Sequence, residues 1–383
     1  MLAIKNGKIY TMAEAPIERG AVLIDKGKVI DVGKDINIPE DACVIDAKGL
    51  LVTPGLIDGH SHIGIGEEGI GFEGVDYNEM SDPVTPQMRA IDAIYPYDDG
   101  FKQAYQGGVT TVVTGPGSAN SIGGTFAAVK TYGRRVEDMI IKDPCAMKIA
   151  FGENVKRVYK DKGPMTRMGN MAKLRELLYK AKEYLRKKET EAPDKQPPYD
   201  IKLEAMIPVL KKQIPLKAHA HRTDDIFTSI RLAKEFDLNL TLDHCTEGHL
   251  IADILAKEGY PAFVGPNMSN ASKYELRNRS YVTAAALANA GVKVAIITDH
   301  SVIPEPLLPV CAGMAVKAGM DEYEALKAIT INPAEICGIA DRVGSIEKGK
   351  DADIVVWSAD PIRDINAHVE LCVLNGEIVF ENK

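Results

Sequence analysis

Two histidines in the segment Asp58-Gly-His60-Ser-His62 stand two residues apart, the spacing at which side chains of a β-strand share one face. Two imidazoles on one face at the end of a strand can reach a single metal ion. Similar groups recur downstream. Lys217-Ala-His219-Ala-His221 offers one or two imidazoles, Leu242-Asp-His244 another, and Thr298-Asp299-His300 a carboxylate. Any one of these taken alone reads equally well as a hydrogen-bonded structural residue. Together they put nitrogen and oxygen donors at the ends of several separate stretches of strand character. Imidazole with carboxylate suits Zn²⁺, and also Fe²⁺ or Mn²⁺. The chemistry such a site supports is hydrolysis by a water that the ion activates.

For these groups to meet, the stretches that carry them must lie side by side and end at one place. Residues 50–57 are an apolar run that ends just before the first histidine pair. Residues 108–115, 125–131, 146–151, 216–221, 238–244, 262–265 and 292–299 also read as strands, and helical spacing, as over 225–236 and 284–290, separates most of them. Strands alternating with helices imply a parallel sheet, and eight such units an α/β fold of the (β/α)8 barrel type, with the donors gathered at its C-terminal mouth. The two ends of the chain read differently. Residues 2–6, 8–12, 21–25, 28–32 and 43–46 look like short strands divided by glycine turns, and 353–357, 369–374 and 377–380 continue that style. Neither end has enough strands to bury a core alone. Residues 1–54 and 345–383 are therefore expected to pair into one small β-domain, beside a barrel of residues 55–344.

Two insertions stand out. Residues 63–99 are long, glycine-containing and acidic (Glu67, Glu68, Glu73, Asp76, Glu79, Asp82), and their place after the first barrel strand predicts substrate contact or a lid. Residues 171–188 space Leu174, Leu177, Leu178, Ala181 and Leu185 along one helical face. The glycine-rich stretch 115–124 reads as a tight active-site loop whose Ser118 and Asn120 can bond substrate.

The segment Pro54-Gly55-Leu56-Ile57-Asp58-x-His60-x-His62 resembles the signature of the metal-dependent amidohydrolase superfamily, over nearly the whole chain, and is most similar to the imidazolonepropionase-like branch, which includes dipeptidases and carboxypeptidases. The resemblance implies a TIM-like barrel with a β-sandwich built from both termini, and a homo-oligomer. It implies metal ligation by His60, His62, His219, His244 and Asp299, with Asp299 also taking a proton from the attacking water and returning it to the leaving nitrogen. His244 or a metal would polarise the developing oxyanion, and His221 would contact substrate or back the ligands. Binuclear relatives add a bridging carboxylated lysine or a glutamate. Met147-Lys148-Ile149 resembles the first and Glu153 supplies the second, so a binuclear site is favoured with the bridging residue open. The cofactor expected is one or two divalent ions, zinc by preference. Imidazolonepropionases and cytosine-type deaminases carry a glutamate three residues after the fifth-strand histidine. Arg222 stands there instead, which counts against those reactions and suggests either a grip on a substrate carboxylate or a structural pair with Asp224, Asp243 or Glu247. The expected activity is hydrolysis of a C–N bond in an amide, lactam or dipeptide. Deamination of a heterocycle is the alternative, and a non-catalytic scaffold of the same fold stands third.

Composition narrows the rest. A chain of 383 residues, 45% hydrophobic and 26% charged, can bury a large barrel and an accessory domain. A net charge of −8 argues against a nucleic-acid partner, leaving a small-molecule substrate. The 6 cysteines are scattered without a Cys-x-x-Cys pair, which fits a reducing compartment, and Cys245 has no partner pair that would make it a nucleophile. No stretch reaches 18 uninterrupted apolar residues, and the first residues carry no leader pattern, so a cytoplasmic protein with no membrane contact is expected.

Overall fold

The computed structural model describes residues 1–382. The strands fall into two sheets. One gathers β1 (Leu2–Ile9), β2 (Ile17–Asp25), β3 (Lys28–Gly33), β4 (Cys43–Asp46) and β5 (Leu51–Pro54) from the start of the chain. The second runs from β6 (Leu56–Ser61) through β7 (Val109–Thr114), β8 (Ile122–Lys130), β9 (Ile140–Ala150), β10 (Leu216–Ala220), β11 (Leu240–His244), β12 (Ala262–Val264) and β13 (Val294–Ile296). The chain then returns to the first sheet with β14 (Ile354–Trp357), β15 (Val369–Leu374) and β16 (Glu377–Glu381).

The second sheet is a nearly closed barrel whose strands lie in chain order. Its ladders are parallel except around β8, which runs antiparallel to both β7 and β9. The expected all-parallel barrel is thus corrected at its third strand. Antiparallel neighbours need no helical crossover, and the link from β8 to β9 carries only the short turn of helix Val136–Met139. Between β13 and β6 no ladder forms. The seam is bridged instead by Asp58, whose carboxylate accepts hydrogen bonds from Thr298 N at 2.8 Å and Thr298 Oγ1 at 2.6 Å. Burial raises the Asp58 carboxyl to about 6, against the pull of these same bonds. The helix Arg167–Thr190 closes one side, burying Leu174, Leu177, Leu178 and Ala181 as its spacing predicts, with Tyr184 in place of Leu185 as the last buried residue. Among the described residues no helix is long and apolar enough to cross a membrane.

The first sheet joins both ends of the chain, in the order β16-β15-β14-β5-β1-β2-β3, with β4 paired to the start of β1. One expectation fails here. Gly7 does not turn the chain, because β1 passes through it as a single strand with register shifts on either side. Asn6 absorbs the irregularity at φ 58°. Glycine is required at position 7 by close approach, since a Cβ there would meet Val52 Cγ2 at 2.5 Å.

A buried cation fastens the two sheets to each other. Lys130, at the end of β8, is 1% exposed and pairs with Asp353 and, at 3.0 Å, with Asp351, just ahead of β14. Removing one partner of a buried pair leaves the other charge without compensation. Lys130→Met is expected to lower stability by about 3 kcal/mol, measured by urea unfolding; a loss under about 1 kcal/mol would contradict the fastening role.

Candidate metal centre

At the barrel mouth each anchored imidazole is fixed by a bond to its outer nitrogen. His60 Nδ1 lies 2.6 Å from Asp243 Oδ2, His62 Nδ1 lies 2.6 Å from Gly115 O, and His244 Nδ1 lies 2.8 Å from Gly265 O. Carbonyls and carboxylates only accept, so Nδ1 carries the proton and a neutral ring turns its Nε2 lone pair inward. His221 Nδ1 is bonded to Thr246 Oγ1 at 2.7 Å. Burial drives the rings toward the neutral form. His60, His219 and His221 are held well below the ordinary histidine range, with neighbouring imidazoles or lysine ammoniums adding to the effect, and His244 is brought down to about 4.

Potential ligand atoms converge in two groups, His60 with His62 and Asp299, and His219 with His221 and His244, each within 4.8 Å. Asp299 Oδ1 is 3.5 Å from His60 Nε2 and 3.3 Å from His62 Nε2. Burial alone would raise the Asp299 carboxyl, but His244, His62 and Lys148 outweigh it and hold the group at about 2. The backbone is bent to this purpose. His244, Cys245 and Asp299 all take left-handed φ values (69°, 48° and 54°), at a cost of about 1–3 kcal/mol each.

Two lysines lie side by side beneath the imidazoles, Lys148 on β9 in register with Lys217 on β10. Lys217 Nζ is 3.1 Å from Asp243 and 3.5 Å above the Phe263 ring. Lys148 Nζ is 3.1 Å from His60 Nε2. Burial lowers the Lys148 amine to about 8, although Asp243 and Asp299 pull the other way.

The residues singled out in the sequence do not all arrive here. His60, His62, His219, His221, His244, Asp299 and Lys148 share one locality, and His221 stands within 4.8 Å of the potential ligand atoms of His219 and His244. Glu153 does not, because its carboxylate accepts from Glu275 N at 3.3 Å. Arg222 is bound through Nε and Nη2 to Asp224 at 3.0 Å, the structural pair that the sequence also allows, and is absent from the cavity wall. The loop over 63–99 does reach the mouth, but through Tyr77, stacked on His62 at 5.3 Å, and Asn78, not through Glu67, Glu68, Glu73 or Asp76. Ser118 lines the cavity, whereas Asn120 is buried on Glu79 O and Thr85. Cys245 is buried and pushed up to about 12, which suits an inert thiol.

Other residues carried a weaker signal or none. Asp58, Lys217 and Asp243 sit within or beside the histidine motifs. Lys273 and Glu275 come from the irregular stretch after β12, which shows no periodicity.

The amidohydrolase family model matches residues 51–379. The chain belongs to the amidohydrolase family. A crystal structure of an amidohydrolase from Thermotoga maritima MSB8 matches it with a TM-score of 0.96 and 43% identity, over 100% of both chains. Amidohydrolase tasK of Hapsidospora irregularis is 30% identical across 95% of this chain, which spans 40% of that relative's length. The imidazolonepropionase of Paracoccus denitrificans is 26% identical across 99% of each chain. The family match covers the donors at positions 60, 62, 219, 244 and 299.

In this amidohydrolase, depressed histidines give stability a defined pH dependence. A ring held neutral in the folded state contributes fully above its unfolded value of about 6.5, and the contribution is lost as pH falls toward the folded value. His60, His219, His221 and His244 act in this direction, while Asp58 and Glu305, both raised by burial, partly offset them. Metal-free protein is expected to lose thermal stability from pH 6.5 to pH 4, at about 1.4 kcal/mol per pH unit for each net proton. His221→Gln is expected to make the loss shallower. Melting temperatures that stay level over that range would contradict the neutral-ring assignment.

Proposed function

We propose that this chain uses a divalent metal ion to hydrolyse a carbon–nitrogen bond in a small amide, lactam or dipeptide-like molecule. Hydrolysis at carbon–nitrogen bonds follows from its family. The observation that carries the metal reading is the convergence of five imidazoles and one carboxylate into two groups whose donor atoms lie within 4.8 Å of one another. His219 Nε2 and His221 Nε2 are buried without any hydrogen-bond partner, a state that costs on the order of 1–3 kcal/mol per group. A cation satisfies such a cluster, and the donor chemistry fits one. Two donors that share a tetrahedral ion about 2.1 Å from each stand roughly 3.4 Å apart, close to the 3.3 and 3.5 Å found around Asp299.

His60, His62 and Asp299 would hold one ion, and His219, His221 and His244 a second. Lys148, which touches His60 and faces the same cavity, would join them in its carboxylated form. Zinc suits this donor set, and iron and manganese are compatible with it. When bound, a divalent ion supplies Lewis acidity and makes water a competent nucleophile near neutral pH.

The chain's own groups do the rest. Asp299, kept ionised, accepts the proton of the attacking water at a carboxylate oxygen and passes it to the leaving nitrogen. Tyr77 covers the face of His62 and limits access of bulk water. The cavity is about 650 Å³, a size for a dipeptide-like molecule. Arg157 and Lys273 line it, so an anionic end of the substrate meets positive charge there rather than at Arg222.

The test is turnover of a panel of N-acyl amino acids, lactams and dipeptides before and after chelation. Activity is expected to vanish with the metal and return with added Zn²⁺ or Mn²⁺. Asp299→Asn is expected to lower kcat by about 10²–10⁴. Turnover indifferent to chelators, or ammonia release from aminated rings with no cleavage of amides, would overturn the reading.

A further inference from the structure

A carboxylate that no motif announces is built into the second group of imidazoles. Glu275 is 1% exposed, and its Oε1 lacks a hydrogen-bond partner, as do His219 Nε2 and His221 Nε2. The three atoms face one another, Oε1 lying 3.7 Å from His219 Nε2 and 3.6 Å from His221 Nε2. These separations are too long for hydrogen bonds. They are close to the roughly 3–3.6 Å between donors that share an ion about 2.1 Å from each.

The seat of Glu275 is specific. Its Oε2 accepts from Glu153 N at 2.9 Å, and its own N donates to Glu153 Oε2 at 3.3 Å. Gly152, at φ +86°, leaves the room for this, since a Cβ there would meet Oε2 at 2.5 Å. With Oε2 fixed in that bracket, Oε1 is turned toward the imidazoles. A buried carboxylate oxygen without a hydrogen bond, facing two imidazole nitrogens that also lack one, is costly unless positive charge stands among them. Lys273 Nζ stands 2.6 Å from Oε1 but out of hydrogen-bond alignment.

We propose that Glu275 is a ligand of the cation held by His219, His221 and His244, and that the Lys273 ammonium occupies its neighbourhood until the ion arrives. This rests on the metal-dependent reading above. Glu153, which the sequence offers as a bridging ligand, serves here to seat the glutamate that does the binding. Loading the ion would free the Lys273 side chain toward the cavity.

Titration of the metal-free protein with Zn²⁺ against a chromophoric chelator reads Kd and the number of ions per chain, and the absorption spectrum of the Co²⁺ form reads the donor set. Glu275→Gln keeps the shape and removes the charge. It is expected to weaken one Zn²⁺ site at least tenfold and to change the Co²⁺ spectrum. Lys273→Met removes the competing charge and is expected to tighten the same site several-fold. An effect of opposite sign in the two variants is what a purely structural role does not produce, and Lys273→Met carries the test if Glu275→Gln fails to fold. A wild-type chain that binds no divalent ion would overturn the metal reading itself. A wild-type chain that binds Zn²⁺ while Glu275→Gln binds it equally well would overturn the ligand role of Glu275 alone. Weaker or unchanged binding by Lys273→Met would overturn the placeholder role of Lys273.

Discussion

The barrel mouth depends on where a few imidazoles keep one proton. With Nδ1 tied outward to an acceptor, each neutral ring has nothing but a lone pair to present inward. Where several such lone pairs are buried together, positive charge answers them, as the Lys148 ammonium 3.1 Å from His60 Nε2 already does. The anchors are supplied by the barrel's own order. His62, just past the end of β6, is held by the carbonyl that follows β7, and His244 on β11 by the carbonyl that follows β12, in both cases from beside the neighbouring strand. His60 is held from across the barrel by Asp243 on β11. Such outer partners orient metal-binding imidazoles and raise their basicity.

Other features follow from that requirement. Asp243 must remain an acceptor while buried, and Lys217 compensates its charge from below. Donors at strand ends must turn inward abruptly, which accounts for left-handed backbone at His244 and Asp299. The barrel must be held shut where its first and last strands fail to pair. Asp58, two residues from His60, performs that closure through Thr298, so the seam and the ligand set are tied at one point. Backbone bonds from Ile57 N to Ile329 O and from Ile296 N to Ala328 O reinforce the same seam.

What the sequence made legible was whatever obeys a short period. Histidines two apart on a strand share a face, so spacing alone puts His60 with His62, and His219 with His221. The strands were legible by their apolar runs, including β8, but its direction was not, because periodicity is blind to polarity along a sheet. The two terminal groups of strands could be paired from their shortage of partners alone. Gly7 misled because a glycine needed for close approach looks the same in sequence as one needed for a turn. Arg222 was ambiguous for a related reason: position relative to a motif does not choose between a substrate carboxylate and a nearby acid, and Asp224 claims its guanidinium. Glu275 was invisible, since it reaches the site from an irregular segment and through contacts with Gly152 and Glu153 that are distant in the chain.

The central claim is that the converging Nε2 lone pairs form a cation site. Anomalous diffraction at the zinc edge, from crystals grown with Zn²⁺, tests it most directly. One peak is expected among His60, His62 and Asp299 and another among His219, His221 and His244, with the Nδ1 bonds of His60, His62 and His244 to their outer acceptors retained. Crystals that show no peak at either place, with the imidazoles instead donating Nε2–H to water or protein, would contradict it.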